Sequence, residues 1–352
     1  MILYRYITKD IISVFIGVIT ILFLILLGTL MVRYLAEVAD GTIAKEFLIP
    51  LVAIRALETW VLVVPLSFFL ALIISLGRMN GENELIAAYA CGFERKKLLA
   101  LVVGLSIIVS LFVGGMTLLF APAADQKYHE VMHQSEQQSD LSVLAPRKFI
   151  ELSDGSLFYA EGRDEQQRFA GVSIFKTESD NYSVTNAKEL TERPGDSERT
   201  SLMVMKNGVR TDIDYKKKDS QQISFAEYGV YIEKKDPGLP KFGVRAVPST
   251  KLWGSSSPAY TAELQWRITL ALMVIVLAVV AVVMSRYQPR SARGGKLILA
   301  MVVYMFYGQL LVTSKNGVAQ QTLIPEIGLW WVHIATLTIA LVIFYRQERS
   351  PV

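Results

Sequence analysis

Apolar residues gather into six runs, 11–32, 51–76, 98–120, 268–285, 297–313 and 327–345, and polar residues fill the stretches between them. A helix needs roughly 17 to 25 apolar residues to cross the hydrocarbon core of a bilayer, and each run meets that requirement. The pattern predicts six membrane-spanning helices, split three and three by one long polar insertion. The first run is longer than a secretory signal core of about 7 to 15 residues and no small-residue cleavage site follows it, so it reads as a retained helix.

Inside the insertion the period changes. Residues 125–138 are polar and helix-compatible and extend the third span. After Pro146 the alternation becomes two-fold, at 149–152, 157–160, 169–175, 182–190, 201–209 and 223–232. Asp154-Gly155 and Asn207-Gly208 are hairpin turn signals. Six short antiparallel strands without a long helix predict a sandwich or open roll. Pro237, Gly238, Pro240, Gly243, Pro248, Gly254, Ser255 to Ser257 and Pro258 then read as a linker back to the membrane. The predicted organisation is 1–120 for the first three spans, 121–263 for the insertion and 264–352 for the last three.

Composition agrees: of 352 residues, 52% are hydrophobic and 19% charged, which is a membrane-protein balance. Lys and Arg near span ends resist translocation. Arg5, Lys9, Arg78, Arg95, Lys96, Lys97, Arg286, Arg290, Arg293, Lys296, Arg346 and Arg349 fall on one side, against Arg33, Lys45 and Lys315 on the other. That asymmetry places both termini in the cytoplasm and exports the insertion. The net charge of +4 is therefore a topology signal and gives no support to nucleic-acid binding. Cys91 is the single cysteine, so the insertion has no internal disulfide to rely on.

Residues 80–92, between the second and third runs, read as a short cytoplasmic helix tied at both ends to spans. Asn80 can cap its first turn, Glu82 and Glu84 suit the positive end of its dipole, and Gly92 suits a C-terminal cap. Leu85, Ile86 and Tyr89 share an apolar face that something must receive. Such a helix looks built to be pushed on, while the segment taken alone reads first as a plain interfacial turn between hairpin-connected spans.

Other chemistry is sparse. Arg293-Gly294-Gly295-Lys296 lacks the upstream glycine of a phosphate-binding loop and is followed by Leu297 where a hydroxyl residue should stand, so any ATP must be hydrolysed by another subunit. His129-Glu130-Val131-Met132-His133 matches the zinc-protease pattern. A third ligand would have to come from β-patterned sequence, and the bland reading is a solvated helix face. Among ionisable residues near span ends, Arg55 and Glu58 at helical spacing read as a structural pair. Arg33, Arg267 and Lys315 place cations at one depth, suited to anionic headgroups. His333 reads as a hydrogen-bonded packing residue, and Pro65 as a mid-helix kink.

Val64-Pro65-Leu66-Ser67-Phe68-Phe69-Leu70, Glu82-Asn83-Glu84-Leu85, Ala90-Cys91-Gly92-Phe93 and 262–269 (Ala-Glu-Leu-Gln-Trp-Arg-Ile-Thr), in this layout, resemble the LptF/LptG permease family of the lipopolysaccharide exporter. The last motif and Asp40-Gly41 side with its LptF branch. The resemblance implies an α+β membrane protein with six transmembrane helices and a periplasmic β-jellyroll-like domain, in the Gram-negative inner membrane. It implies a half-permease without cofactor or bound metal, paired with an LptG-like permease, driven by two LptB-like ATPase subunits, and passing lipopolysaccharide to LptC-like and LptA-like β proteins. Glu84 would then engage the ATPase, with Leu85, Ile86 and Tyr89 filling its groove. Arg33 and Lys315 would meet the lipid's phosphates, although Leu30 stands where the family often has a second cation. Two other readings stay open on the residues alone: a membrane-anchored zinc metalloprotease using His129, Glu130 and His133, and a mechanotransmission or sensory protein.

Overall fold

The structure, a computed structural model, describes residues 2–40, 42–138, 147, 149–151, 155–164, 168–178, 181–194, 200–214, 219–233, 242–285 and 293–349. The turn residue Asp154, the linker residues Pro237, Gly238 and Pro240, Gly41 of the Asp40-Gly41 pair, and Arg286 and Arg290 lie outside them. The chain forms two compact units, one of 1–31, 52–129 and 241–352, the other of 32–51 and 130–240.

The first unit is helical. It contains most of α1 (Ile2–Ala39), α2 (Leu48–Gly81), the short α3 (Glu84–Ala90), α4 (Arg95–Gly115), the start of α5 (Ala121–Gln138), and then α6 (Ser249–Leu252), α7 (Pro258–Met284), α8 (Arg293–Ala319) and α9 (Trp330–Arg349). A π-helical turn, Met116–Phe120, joins α4 to α5. Among the described residues five helices are long and apolar enough to cross a membrane: α1, α2, the run from α4 through α5, α7 and α8. The sixth apolar run behaves differently. Residues 324–329 turn at Pro325 and Gly328, the latter at φ +45°, so α9 starts at Trp330 rather than 327. Helix α9, Trp330–Arg349, carries Arg346 and Arg349 in its last turn and is not among those five.

The core explains the order of burial. Helix α7 is buried along most of its length, from Ala262 to Val283, and the 64–79 part of α2 is similarly enclosed. Both read as helices apolar all round, which belong inside a bundle. Pro65 is buried within α2, and the helix continues through it with one backbone N–H fewer. By contrast almost none of α1's most apolar stretch is buried, and little of α8's.

The second unit holds one six-stranded antiparallel sheet, β1 (Ile150–Glu151), β2 (Leu157–Arg163), β3 (Phe169–Glu178), β4 (Asn181–Pro194), β5 (Thr200–Asp214) and β6 (Asp219–Glu233), each paired with its sequence neighbour. That order is an up-and-down meander and contains no Greek-key crossing among the described residues. Phe158, Ala160, Phe169, Val172, Ala187, Leu190, Met203 and Met205 make its core. Gly155, at φ +79°, lies in the connection from β1 to β2, where a turn was expected.

Asn207-Gly208 is not a hairpin turn, contrary to its sequence signal. Strand β5 runs straight through it, with Ala187 opposite Gly208 on one side and Phe225 on the other. Asn207 takes the left-handed conformation, φ +52°, in mid-strand, and a Cβ on Gly208 would collide with the Asn186 carbonyl and the Phe225 ring. The pair is thus a local bend that lets neighbouring groups close over a missing side chain. Replacing Gly208 by Val should destabilise this part of the sheet by about 1–3 kcal/mol. Trypsin cleavage at Lys206 and Arg210 in the detergent-solubilised chain should then accelerate about tenfold, while unchanged digestion would disprove the tight contact.

Candidate functional site

Two groups of polar side chains stand out in the helical unit, one around α3 and one around the start of α7. Helix α3 has only seven residues and cannot be stable alone. It is held at both ends. At its C-terminus Phe93 N–H donates to the Ala88 carbonyl and Gly92 N–H to the Tyr89 carbonyl, both at 3.0 Å, with Gly92 at φ +89°. These are the paired bonds of a Schellman cap, so Gly92 fills the capping role expected of it.

The N-terminus differs from expectation. Asn80 does not cap α3, because α2 continues to Gly81. Its buried amide instead donates to the Leu76 carbonyl at 2.9 Å and to the Ser285 carbonyl at 2.8 Å, tying the end of α2 to the end of α7. Asn83, at φ +62°, makes the turn that starts α3 at Glu84. The Tyr6 hydroxyl, from α1, sits 3.1 Å from both oxygens of Glu84, and Arg78 Nη1 is 3.7 Å from Oε1. One third of the Glu84 side chain stays exposed, so its carboxylate can still accept from a partner.

The expected apolar face is divided. Leu85 is 1% exposed and belongs to this chain's own core, and Tyr89 packs against the same core. Ile86 points outward, 37% exposed. The division follows from geometry, since adjacent helical residues stand about 100° apart. Burial pushes the Tyr89 hydroxyl above its usual range, partly offset by Arg95, so it is a neutral group at physiological pH.

The second group surrounds a cavity of about 420 Å³ lined by Arg55, Asp125, His129, Arg245, Glu263 and Lys315. Arg55 pairs with Glu58, lies 3.6 Å from Asp125, and stacks its guanidinium 3.5 Å from the Tyr128 ring centre. Glu263 is the pivot of the far wall: it accepts from Lys315 Nζ at 2.7 Å and from Arg267 Nε at 3.2 Å. Arg267 also donates to the Ser249 hydroxyl at 2.7 Å and to the Arg245 carbonyl at 2.8 Å. Lys315 lies 5.0 Å from the Trp266 ring centre. Buried Arg267 is thus a structural cation, whereas Lys315 faces the cavity already paired. Arg33 belongs to the other unit; its side chain is 69% exposed and bonds Glu37 at 3.1 Å.

His129 does not face a metal-ligand set. Its Nε2 is 3.6 Å from Asp125, and its ring meets Tyr128 and Phe242 edge-on. Among the described residues no three His, Cys, Asp or Glu side chains converge to hold a metal ion, so the protease reading gains no support. His333 bonds the Tyr307 hydroxyl at 2.6 Å inside the bundle. Sequence reading overlooked Tyr6, Asp10 and Arg78 around α3, and Glu263 beside α8. The signals available were the i, i+4 spacings of Arg78 with Glu82 and of Glu263 with Arg267.

Long apolar helices, an inserted antiparallel sheet and a short helix pinned between two of the long ones define a multi-pass membrane protein of permease layout. The profile of the family described as lipopolysaccharide export system permease LptF/LptG matches residues 5–346, and the chain belongs to that family. It is 24% identical over 348 residues to the lipopolysaccharide export system permease protein LptF of Escherichia coli strain K12, covering 97% of this chain and 94% of the relative. The same protein of Shigella flexneri matches equally well.

Breaking a buried charge group by removing one member costs about 3–5 kcal/mol, whereas an exposed i, i+4 pair contributes about 0.3–0.5. Glu263→Gln should therefore lower the melting temperature of the solubilised chain sharply, and Glu37→Gln should leave it nearly unchanged. Equal effects of the two would contradict the burial described for Glu263.

Proposed function

We propose that this chain is a permease subunit that takes lipopolysaccharide from the outer leaflet of the inner membrane and passes it toward the outer membrane. The observation that carries the reading is the family match over 5–346, which includes the helices on both sides of the insertion and the insertion itself. In this reading α9 is the sixth span, both termini and α3 are cytoplasmic, and the sheet is periplasmic, curling into an open, jellyroll-like roll. An LptG-like permease completes the pathway, and two LptB-like ATPase subunits supply the energy.

The mechanism is mechanical. Glu84 and the outward Ile86 meet the ATPase, while buried Leu85 and half-buried Tyr89 root α3 in the bundle so that a push on it moves the helices. The exposed helices α1 and α8 face the lipid and the second permease, and their rearrangement squeezes the bound amphiphile upward. Arg33, with its exposed guanidinium, and Lys315, at the cavity, meet the lipid's phosphates; Lys315 exchanges its bond to Glu263 for one to the anion. Beyond the membrane the acyl chains need continuous apolar cover, which the Phe158 to Met205 face of the sheet offers. The edge strand β6 pairs with an LptC-like neighbour, which hands the lipid on to an LptA-like one.

Glu84→Ala should loosen or abolish copurification of the ATPase with the two permeases and reduce lipopolysaccharide release at least tenfold, about what losing one or two charge-assisted hydrogen bonds implies. Normal assembly and normal release in that variant would overturn the assignment of α3 as the motor contact.

A further inference from the structure

Helix α1 is the least enclosed of the long helices, yet its first turns are bound to α3 and to the end of α2 more specifically than packing requires. Among the described residues of 2–31, only Tyr6 and Asp10 hydrogen-bond another element through their side chains. The Tyr6 hydroxyl bridges both Glu84 oxygens at 3.1 Å. Asp10 accepts from Arg78 Nη2 at 2.7 Å and from the Ser75 hydroxyl, both on the last turns of α2. Arg78 in turn bonds Glu82 at 2.8 Å and reaches Glu84 at 3.7 Å. A second seam is aromatic: Tyr4 meets Phe93 edge-on with ring centres 5.6 Å apart, and Phe93 stacks on Tyr89 at 6.4 Å. The first two turns of α1 thus reach the start of α3 directly through Tyr6, reach it indirectly from Asp10 by way of Arg78 on α2, and meet its C-terminal cap through Phe93.

Farther along, α1 leans on α2 through Phe15 against Phe68 and Phe23 against Trp60, at 5.6 and 5.0 Å. Those contacts are apolar and carry no charge or hydrogen bond, so they resist sliding and rotation less than charge-assisted bonds, which fix direction and register. A displacement of α3 therefore reaches α1 through its Tyr4 to Asp10 end first, and a continuous helix carries it onward as a rod.

We infer that Tyr6, Asp10 and Arg78 are positioning residues for lipid release: Tyr6 joins α1 to α3 directly and Asp10 joins it through Arg78 at the end of α2, so that α1 follows α3 and the carboxylate of Glu84 serves both the motor contact and the drive to α1. This rests on the reading of α3 in the preceding subsection. The joint acts on Glu84 from inside the chain, while the exposed part of that carboxylate remains for the ATPase.

The test uses the complete complex, both permeases with the ATPase, in proteoliposomes loaded with lipopolysaccharide. Tyr6→Phe removes one hydroxyl and Asp10→Asn one charge. Each should leave assembly intact and ATP hydrolysis within about twofold of the parent, yet lower lipopolysaccharide released per ATP about tenfold, the scale of a lost bond to a charged group. Asp10→Glu, which keeps the carboxylate, should restore most of the release. Unchanged release per ATP in Tyr6→Phe and Asp10→Asn would overturn the inference. So would loss of assembly in either, because the side chain would then be supporting α3 rather than transmitting its motion. Glu84→Ala, run in parallel, separates the two levels: if it neither loosens the ATPase nor lowers release, the motor contact itself is wrong, whatever the other variants do.

Discussion

The helical unit depends on the close approach of α4 to α7. In hydrocarbon, helices gain nothing from burying apolar surface against one another, so association rests on small residues and interhelical hydrogen bonds. The α4 side supplies both. Gly114 faces Ala271, where an added Cβ would meet the Ala271 Cβ at 3.4 Å, an ordinary contact distance; the Ser110 hydroxyl donates to the Ala271 carbonyl at 2.7 Å and Thr117, in the π turn, to that of Arg267 at 3.0 Å, and these bonds fix the pairing. With α7 locked in this way and shielded further by α8 and α9, the variable surfaces of the bundle are left to α1 and α8.

The π turn at Met116–Phe120 belongs to the same arrangement. A turn of this kind releases a carbonyl from the regular ladder. The Leu118 carbonyl accepts from the Ser249 hydroxyl at 2.6 Å, and that same hydroxyl accepts from Arg267. Arg267 is thereby fixed beneath Glu263, and Glu263 can hold Lys315. The two polar groups of the unit follow opposite designs. Around Glu263 the Arg267–Glu263 pair is enclosed and each member relies on the other, so that pair is rigid and intolerant of loss, while Lys315 faces the cavity. Around Glu84 the carboxylate is partly open and its partners leave it spare capacity, which suits a group that must also meet another protein.

Long features were legible in the sequence and local direction was not. Five of the six apolar runs fall in helices long enough to cross a membrane, although α1 and α7 begin nine and ten residues ahead of their runs. The polar helix after the third run and the alternating strands lie within about five residues of where they were expected, because burial over fifteen or more residues leaves a periodic trace. Asn207-Gly208 misled because the αL conformation it favours serves a bend in mid-strand as well as a hairpin; only Phe225 and Asn186, distant in sequence, decide between them. Asn80 misled for a similar reason, its amide being drawn away from the local cap by the Ser285 carbonyl, 205 residues on. Leu85, Ile86 and Tyr89 form one apolar cluster on paper, and their division into rooted and presented residues is settled by the neighbours of α3.

Unequal packing is what allows such a bundle to be stable and to move. A helix held like α7 on nearly every face cannot shift without repacking the core, and closely packed interiors rearrange between discrete arrangements rather than deforming smoothly. A helix held like α1, by rings along one side and a few directed bonds at one end, can change its tilt or rotation while α7 stays fixed. The energy needed is then set by the apolar contacts of Phe15 and Phe23, which slide over similar surface at little net cost, since lipid replaces whatever they leave. Motion concentrated in the loosely packed helix keeps the remainder of the core as a fixed reference against which a squeeze can act.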